Sequence, residues 1–98
     1  MSAEMDALVA GVTAKLESLE EALDAFGKIS ARYTTDDGVI TAEVDGNGAL
    51  TGLWLGEAIT QWQAKQAGEQ ITAACQRAAQ RAAQERALVI ARLNEAFR

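Results

Sequence analysis

Val39-Ile-Thr-Ala-Glu-Val-Asp-Gly-Asn-Gly-Ala-Leu-Thr-Gly-Leu-Trp-Leu-Gly56 admits two folds. Ile40, Ala42 and Val44 alternate with Thr41, Glu43 and Asp45, the period-two pattern of a half-buried strand. Asp45-Gly-Asn-Gly48 then has the composition of a hairpin turn. The last three residues, Trp54-Leu55-Gly56, instead spell W-x-G, the corner of some helical hairpins. Glycine decides between them. Gly38, Gly46, Gly48 and Gly52 all precede the tripeptide, and each costs roughly 1 kcal/mol in a helix interior. A helix through this flank loses several kcal/mol, so W-x-G is a chance spelling at a strand end.

Working outward, three strands emerge, at about 29–35, 39–45 and 50–55. The first places Ile29, Ala31, Tyr33 and Thr35 on one face. Asp36-Asp37-Gly38 turns the chain into the second, and Gly46-Asn47-Gly48 turns it into the third. In the third, alternation puts Thr51, Leu53 and Leu55 on one face. Two tight turns joining three strands make an antiparallel meander.

A helix precedes the meander, at about 2–27. Met5, Val9, Val12, Leu16, Leu19, Leu23 and Phe26 are spaced four, three, four, three, four, three, an unbroken heptad seam. Ser2 is placed to cap the helix, without the Glu or Gln that completes a capping box. Gly27 is placed to end it, with Lys28 near the negative helix terminus. Glu17, Glu20, Glu21 and Asp24 read as a solvated face. A longer helix follows the meander, at about 62–97, with Gly68 marking a kink or a later start. Ile71, Cys75, Ala78, Ala82, Val89, Leu93 and Phe97 share one stripe, and Arg77, Arg81, Arg92 and Arg98 share an arc about 120° wide. Arg86 points into the apolar stripe, and a buried arginine needs a partner. Glu17 or Glu20 of the first helix is the expected one.

The fold class is therefore α+β: N-terminal helix, three-stranded antiparallel β-meander, long C-terminal helix, over residues 1–98 as one domain. A chain of 98 residues covers only about 60–65% of its unfolded surface. The small meander offers too little area to cover both the seam and the second helix's stripe. A homodimer is expected. Its interface, or the packing of helix on helix, draws on Val9, Val12, Leu16, Leu19, Leu23, Phe26, Ile71, Cys75, Val89 and Leu93.

The net charge is −5, unevenly spread. Residues 1–48 hold three basic and ten acidic residues, whereas residues 49–98 hold six basic and four acidic. An acidic whole opposes indiscriminate nucleic-acid binding, but the basic second half leaves room for a local patch. The lone Cys75 forms no intramolecular disulfide and reads as a small buried hydrophobe rather than a reactive thiol. There is no histidine, no metal-ligand spacing and no phosphate loop followed by Lys-Ser or Lys-Thr. No catalytic residue, cofactor or metal is expected, and the protein reads as no enzyme. Asp36, Asp37, Glu43 and Asp45 are explained by turns and strand solvation better than by an acid–base pair. Trp54 and Trp62, flanking the sheet–helix junction, read as core residues more than as binding anchors. The N-terminus lacks a signal peptide's basic and apolar regions, and the longest apolar run, Ala87–Ala91, is far short of a membrane span. A cytoplasmic protein without membrane contact is expected.

The order of elements and several motifs resemble the YbaB/EbfC family of nucleoid-associated proteins. Val39-Ile-Thr-Ala-Glu-Val-Asp-Gly-Asn-Gly48 looks like that family's "G-L-V-x-V-x-I-N-G" strand and turn. Ile71-Thr-Ala-Ala-Cys-Gln-Arg-Ala-Ala-Gln-Arg81 is similar to its "L-V-A-A-A-F-N-D-A-x-R-R" helix. The resemblance covers roughly residues 5–92. It implies an intertwined homodimer with a joined sheet, projecting helices that grip DNA with little sequence preference, and a place on the nucleoid. On this chain the arc of Arg77, Arg81, Arg92 and Arg98 would supply the phosphate contacts. The opposing expectation is a solvated face paired to Glu69, Glu85 and Glu95, for example Arg81 with Glu85. The chain departs from the family at Glu57, where a proline is common, and in its acidic balance. Some actinobacterial relatives look like accessory proteins of the type VII secretion system, so a protein-interaction module built on the acidic first helix is the second reading. A continuous basic groove across a dimer favours DNA; separated basic patches with an exposed apolar groove favour a protein partner.

Overall fold

The computed structural model describes residues 2–98. Helix α1 (Ala3–Lys28) leads into strands β1 (Ser30–Thr34), β2 (Ile40–Asp45) and β3 (Leu50–Leu55). A short 3₁₀ turn, Glu57–Gln61, precedes helix α2 (Ala64–Ala96). The strands form one antiparallel sheet in the order β1-β2-β3. This is the α+β architecture expected from the alternation and the glycine turns.

Local chemistry accounts for the element ends. The Ser2 side chain accepts a hydrogen bond from the Met5 N–H at 3.2 Å, capping α1. α1 does not stop at Gly27 but runs one residue further, because Ile29 must turn extended (φ −62°, ψ 125°) to bury its side chain in the sheet core. Lys28 pairs with Asp24 at 2.9 Å. Gly38 (φ 74°) and Gly48 (φ 81°) take the left-handed conformation that each hairpin needs. The Asp37 carboxylate accepts from the Thr35 hydroxyl at 2.6 Å and the Val39 N–H at 3.0 Å. The Asp45 carboxylate accepts from the Asn47 and Ala49 N–H groups. Both aspartates are turn residues, as the sequence implied. α2 begins at Ala64 rather than Trp62, since the 3₁₀ turn occupies Glu57–Gln61 and Trp62 stays extended. It passes unbroken through Gly68.

One face of α2 lies on the inner face of β1 and β2. Ala74, Ala78 and Ala82 meet Ile29, Ala31, Ile40, Ala42 and Val44. Ile71, Cys75, Phe26 and Trp62 pack half-buried around this cluster. Ala74 is buried at 1% exposure, although the helical stripe drawn from the larger residues omits it. Beyond the sheet, α2 meets α1 antiparallel. Ser18, Glu21, Ala22 and Ala25 face Val89, Arg92, Leu93 and Ala96 across a narrow groove.

Arg86 and β3 depart from their expected placements. Arg86 is exposed and makes no ion pair with Glu17, Glu20 or any other described acid. It lies over an open cleft shared with Phe26 of α1 and with Gly46 and Asn47 of the second hairpin. In β3, a register shift at Glu43/Val44 pairs Val44 with Leu50, Ala42 with Leu53 and Ile40 with Leu55. The shift puts Leu50 on the inner face with Leu53 and Leu55. Thr51 turns to the outer face, where its hydroxyl donates to Glu43 at 2.9 Å.

The molecule is open. Its Cα radius of gyration is 20.6 Å with extents 74 × 18 × 17 Å, against about 13 Å for a compact chain this long. Residues 3–17 of α1 are exposed throughout and largely extend past the end of α2. The close fit of α2 on the sheet predicts a sharp asymmetry between neighbouring alanines. Ala78→Leu overfills the interface and lowers urea-unfolding stability by about 1–3 kcal/mol, whereas Ala83→Leu, on the exposed face, changes it by under about 0.5 kcal/mol.

Candidate nucleic-acid interface

The four arginines expected along one arc separate into two places. Arg77 and Arg81, one helical turn apart, lie over the free side of β1. Their guanidinium carbons stand 6.0 Å and 5.2 Å from the centre of the Tyr33 ring. Arg81 also donates from Nη1 to the Arg32 carbonyl at 2.6 Å. The Thr35 N–H bonds the Ile40 carbonyl, so by the alternation of an antiparallel ladder Arg32 O faces away from β2. Arg81 therefore covers a backbone acceptor on the open edge of β1. Arg92 lies roughly 16 Å beyond Arg81 along α2, in the groove against α1. Arg98 pairs with Glu95 at 3.4 Å.

The intrahelical pairing expected for a solvated face is formed only there. Arg81 does not pair with Glu85, and Arg77, Arg81 and Arg92 make no salt bridge among the described residues. Sequence reasoning missed Tyr33 as part of this cluster. Its signal was present: a strand residue on the face that receives α2, with arginines at i and i+4 on that helix.

The outer sheet face carries a second polar constellation. Arg32 Nε donates to Glu43 Oε2 at 2.7 Å, and its guanidinium lies 4.5 Å from the Trp54 ring. Trp54 folds over Gly52, where a Cβ would stand 2.5 Å from the indole, so any other residue there pushes the ring aside. The indole is 47% exposed and is no core residue. The reason is the sheet's geometry: Trp54 pairs with Thr41 and so faces away from α2. Trp62 does pack against the core.

The apolar seam of α1 stays open. Met5, Val9, Val12, Leu16 and Leu23 are each at least 49% exposed, and only Phe26 packs on the core. At 100° per residue the seam lies roughly 90° round from Ala22, which faces α2. α1 thus uses its small residues within the chain and leaves its large ones outside. Of the other expected interface residues, Val89 and Leu93 face α1, and Ile71 and Cys75 lie against the sheet core. Leu50, Leu53 and Leu55 on the inner face of β3 are also exposed.

Glu43 is the acid most tightly tied into this surface. The Arg32 hydrogen bond, then the Thr51 hydroxyl, hold its carboxyl below the ordinary glutamate value. A depressed carboxyl contributes stability above its unfolded pKa and loses it as pH falls through the folded one. Thermal unfolding followed from pH 7 to pH 3 therefore shows a smaller acid-side fall in Glu43→Gln than in the wild type.

No helix among the described residues is long and apolar enough to cross a membrane, and no cluster of metal-ligating side chains occurs among them. No curated protein matches the chain closely enough to serve as a named relative. The sequence profile of the YbaB/EbfC DNA-binding family matches residues 1–97. The match spans both helices and the whole meander between them, so the chain belongs to the YbaB/EbfC DNA-binding family.

Proposed function

We propose that this chain works as a homodimer on the nucleoid, binding double-stranded DNA through phosphate contacts with little base readout. The observation that carries the DNA reading is the unpaired state of Arg77, Arg81 and Arg92 on a helix of a DNA-binding family. In a dimer the arc of Arg77, Arg81, Arg92 and Arg98 is present twice. The guanidiniums of Arg77, Arg81 and Arg92, free of carboxylates, neutralise phosphates without first breaking an ion pair.

Support for the dimer comes from what one chain leaves uncovered. The α1 seam is a coiled-coil surface without a partner. β3 is an open edge: the Gly56 N–H bonds Val39 O, so the alternation turns the backbone of Leu53 and Leu55 outward. The β1 edge, by contrast, is guarded by Arg81. A sheet joined through β3, with α1 seams covered by the second copy, satisfies both surfaces. A second reading keeps the dimer and replaces DNA with a protein partner. It is favoured by the acidic flank of α1 and by the exposed Trp54.

Fluorescence anisotropy with a short duplex at two salt concentrations separates the readings. DNA binding predicts an affinity that falls steeply with salt whatever the duplex sequence, and a uniform loss in an Arg77→Ala, Arg81→Ala double variant. No binding at low salt by a clean dimer excludes DNA and leaves the protein-partner reading. Light scattering checks the assembly: Leu16→Glu, harmless where Leu16 is already 56% exposed, halves the particle mass if the seam is the interface.

A further inference from the structure

We infer that Tyr33, Arg77 and Arg81, with Gln80 and Gln84 at the rim, form a discrete phosphate-binding site at the β1 edge. The inference rests on the DNA-binding reading and narrows it, from an arc of four arginines to one constructed cluster.

The four helical residues come from two i, i+4 pairs on α2, Arg77 with Arg81 and Gln80 with Gln84. Each pair stacks one turn apart on the side facing β1. Together with Tyr33 they line a cleft of about 150 Å³, many times the space one water needs. Every lining residue has a polar terminus. The Tyr33 ring holds two cations close together, with guanidinium carbons at 6.0 Å and 5.2 Å. Such contacts contribute only modest attraction at exposed sites. Their larger effect is on order: a guanidinium already held against a ring loses less rotamer freedom when an anion arrives.

Arg81 is fixed further by its bond to Arg32 O. That bond uses one of its five N–H donors, and the others remain for an incoming oxygen. Like charges this close normally recruit a carboxylate. Here the available acids are engaged or turned away. Glu43 is held by Arg32 and Thr51 on the opposite sheet face, and Glu85 makes no bridge to Arg81. Two positioned guanidiniums without a counter-ion, beside amide donors, suit the planar, bidentate recognition of a phosphate. Arg92 and Arg98 lack this arrangement, one lying beside Glu21 in the α1 groove and the other paired with Glu95.

The test is anisotropy with a 20-base-pair duplex at two salt concentrations, on the wild type, Arg77→Ala, Tyr33→Leu, Tyr33→Phe and Arg92→Ala. Thermal unfolding is followed on each. Alongside it, the Tyr33 ring signals are followed by NMR as pyrophosphate is added. The expected result is about a tenfold loss for Arg77→Ala and a several-fold loss for Tyr33→Leu. Arg77→Ala also makes the salt slope shallower by about one unit per protomer. Tyr33→Phe, which keeps the ring, loses less than Tyr33→Leu, and Arg92→Ala loses clearly less than Arg77→Ala. Wild-type binding with Tyr33→Leu and Arg77→Ala unchanged, or with Arg92→Ala equally impaired, overturns the site and leaves the broader DNA reading standing. A wild type that binds no duplex, yet shows Tyr33 shifts with pyrophosphate, removes the DNA reading and keeps the site for a free phosphate ester. No response to either anion removes both.

Discussion

The structure depends on the contact between the alanine face of α2 and the small inner face of β1 and β2. Ala74, Ala78 and Ala82 allow the helix backbone to lie close on a sheet whose facing residues include Ala31 and Ala42. Six of the ten buried hydrophobic residues are alanine. Each contributes roughly one methyl group of burial, about 0.8 kcal/mol per carbon, where a leucine contributes about two to three times as much. The contact therefore sets geometry well and stabilises weakly. It aligns α2 along β1, which brings Arg77 and Arg81 over Tyr33, and it carries the far end of α2 beyond the sheet, where only α1 can meet it.

A weak narrow core has consequences for association. The large apolar side chains of the molecule are mostly outside it: the α1 seam, the inner face of β3, and Leu88 and Ile90 of α2 are exposed. Ordering a chain of this length costs on the order of 1–2 kcal/mol per residue in backbone entropy, and a mostly alanine core does not offset that alone. The apolar area needed to close the balance lies on surfaces that only another molecule can cover. On the dimer reading proposed above, folding and association are one problem. The charge asymmetry has the same logic. The acidic excess on α1 and the hairpins, set apart from the arginines of α2, keeps the basic cluster from being neutralised within the chain.

Much of this was legible in the residues. The glycines from Gly38 to Gly52 excluded a helical hairpin, Ile40, Ala42 and Val44 named the buried strand face, and the seven-residue seam named a helix. What escaped had physical causes. Alternation in β3 failed at Thr51 because a bulge adds a residue, and nothing local in Ala49-Leu50-Thr51 marks it. Trp54 was expected inside because indoles usually are, but its parity in the strand turns it outward over Gly52. Arg86 was expected inside because a helical projection treats a 33-residue helix as if one neighbour covered its whole length. α2 passes from the sheet to α1, and at that junction Arg86 is exposed over an open cleft lined by Phe26, Gly46 and Asn47. The arginine arc divided for the same reason: a projection gives angle but not distance along the axis. Tyr33, invisible in a scan of α2 alone, is what gathers two of the four.

The central claim is that a second copy completes the sheet at β3, and the most direct test is amide hydrogen exchange at Leu53 and Leu55. Within one chain the ladder alternation points both N–H groups at solvent. Protection of these two amides comparable to that of Ala42, lost on dilution below the dimer's dissociation constant, is the predicted result. Rapid exchange at Leu53 and Leu55 while Ala42 remains protected would contradict the account, and would show β3 to be a free edge in solution.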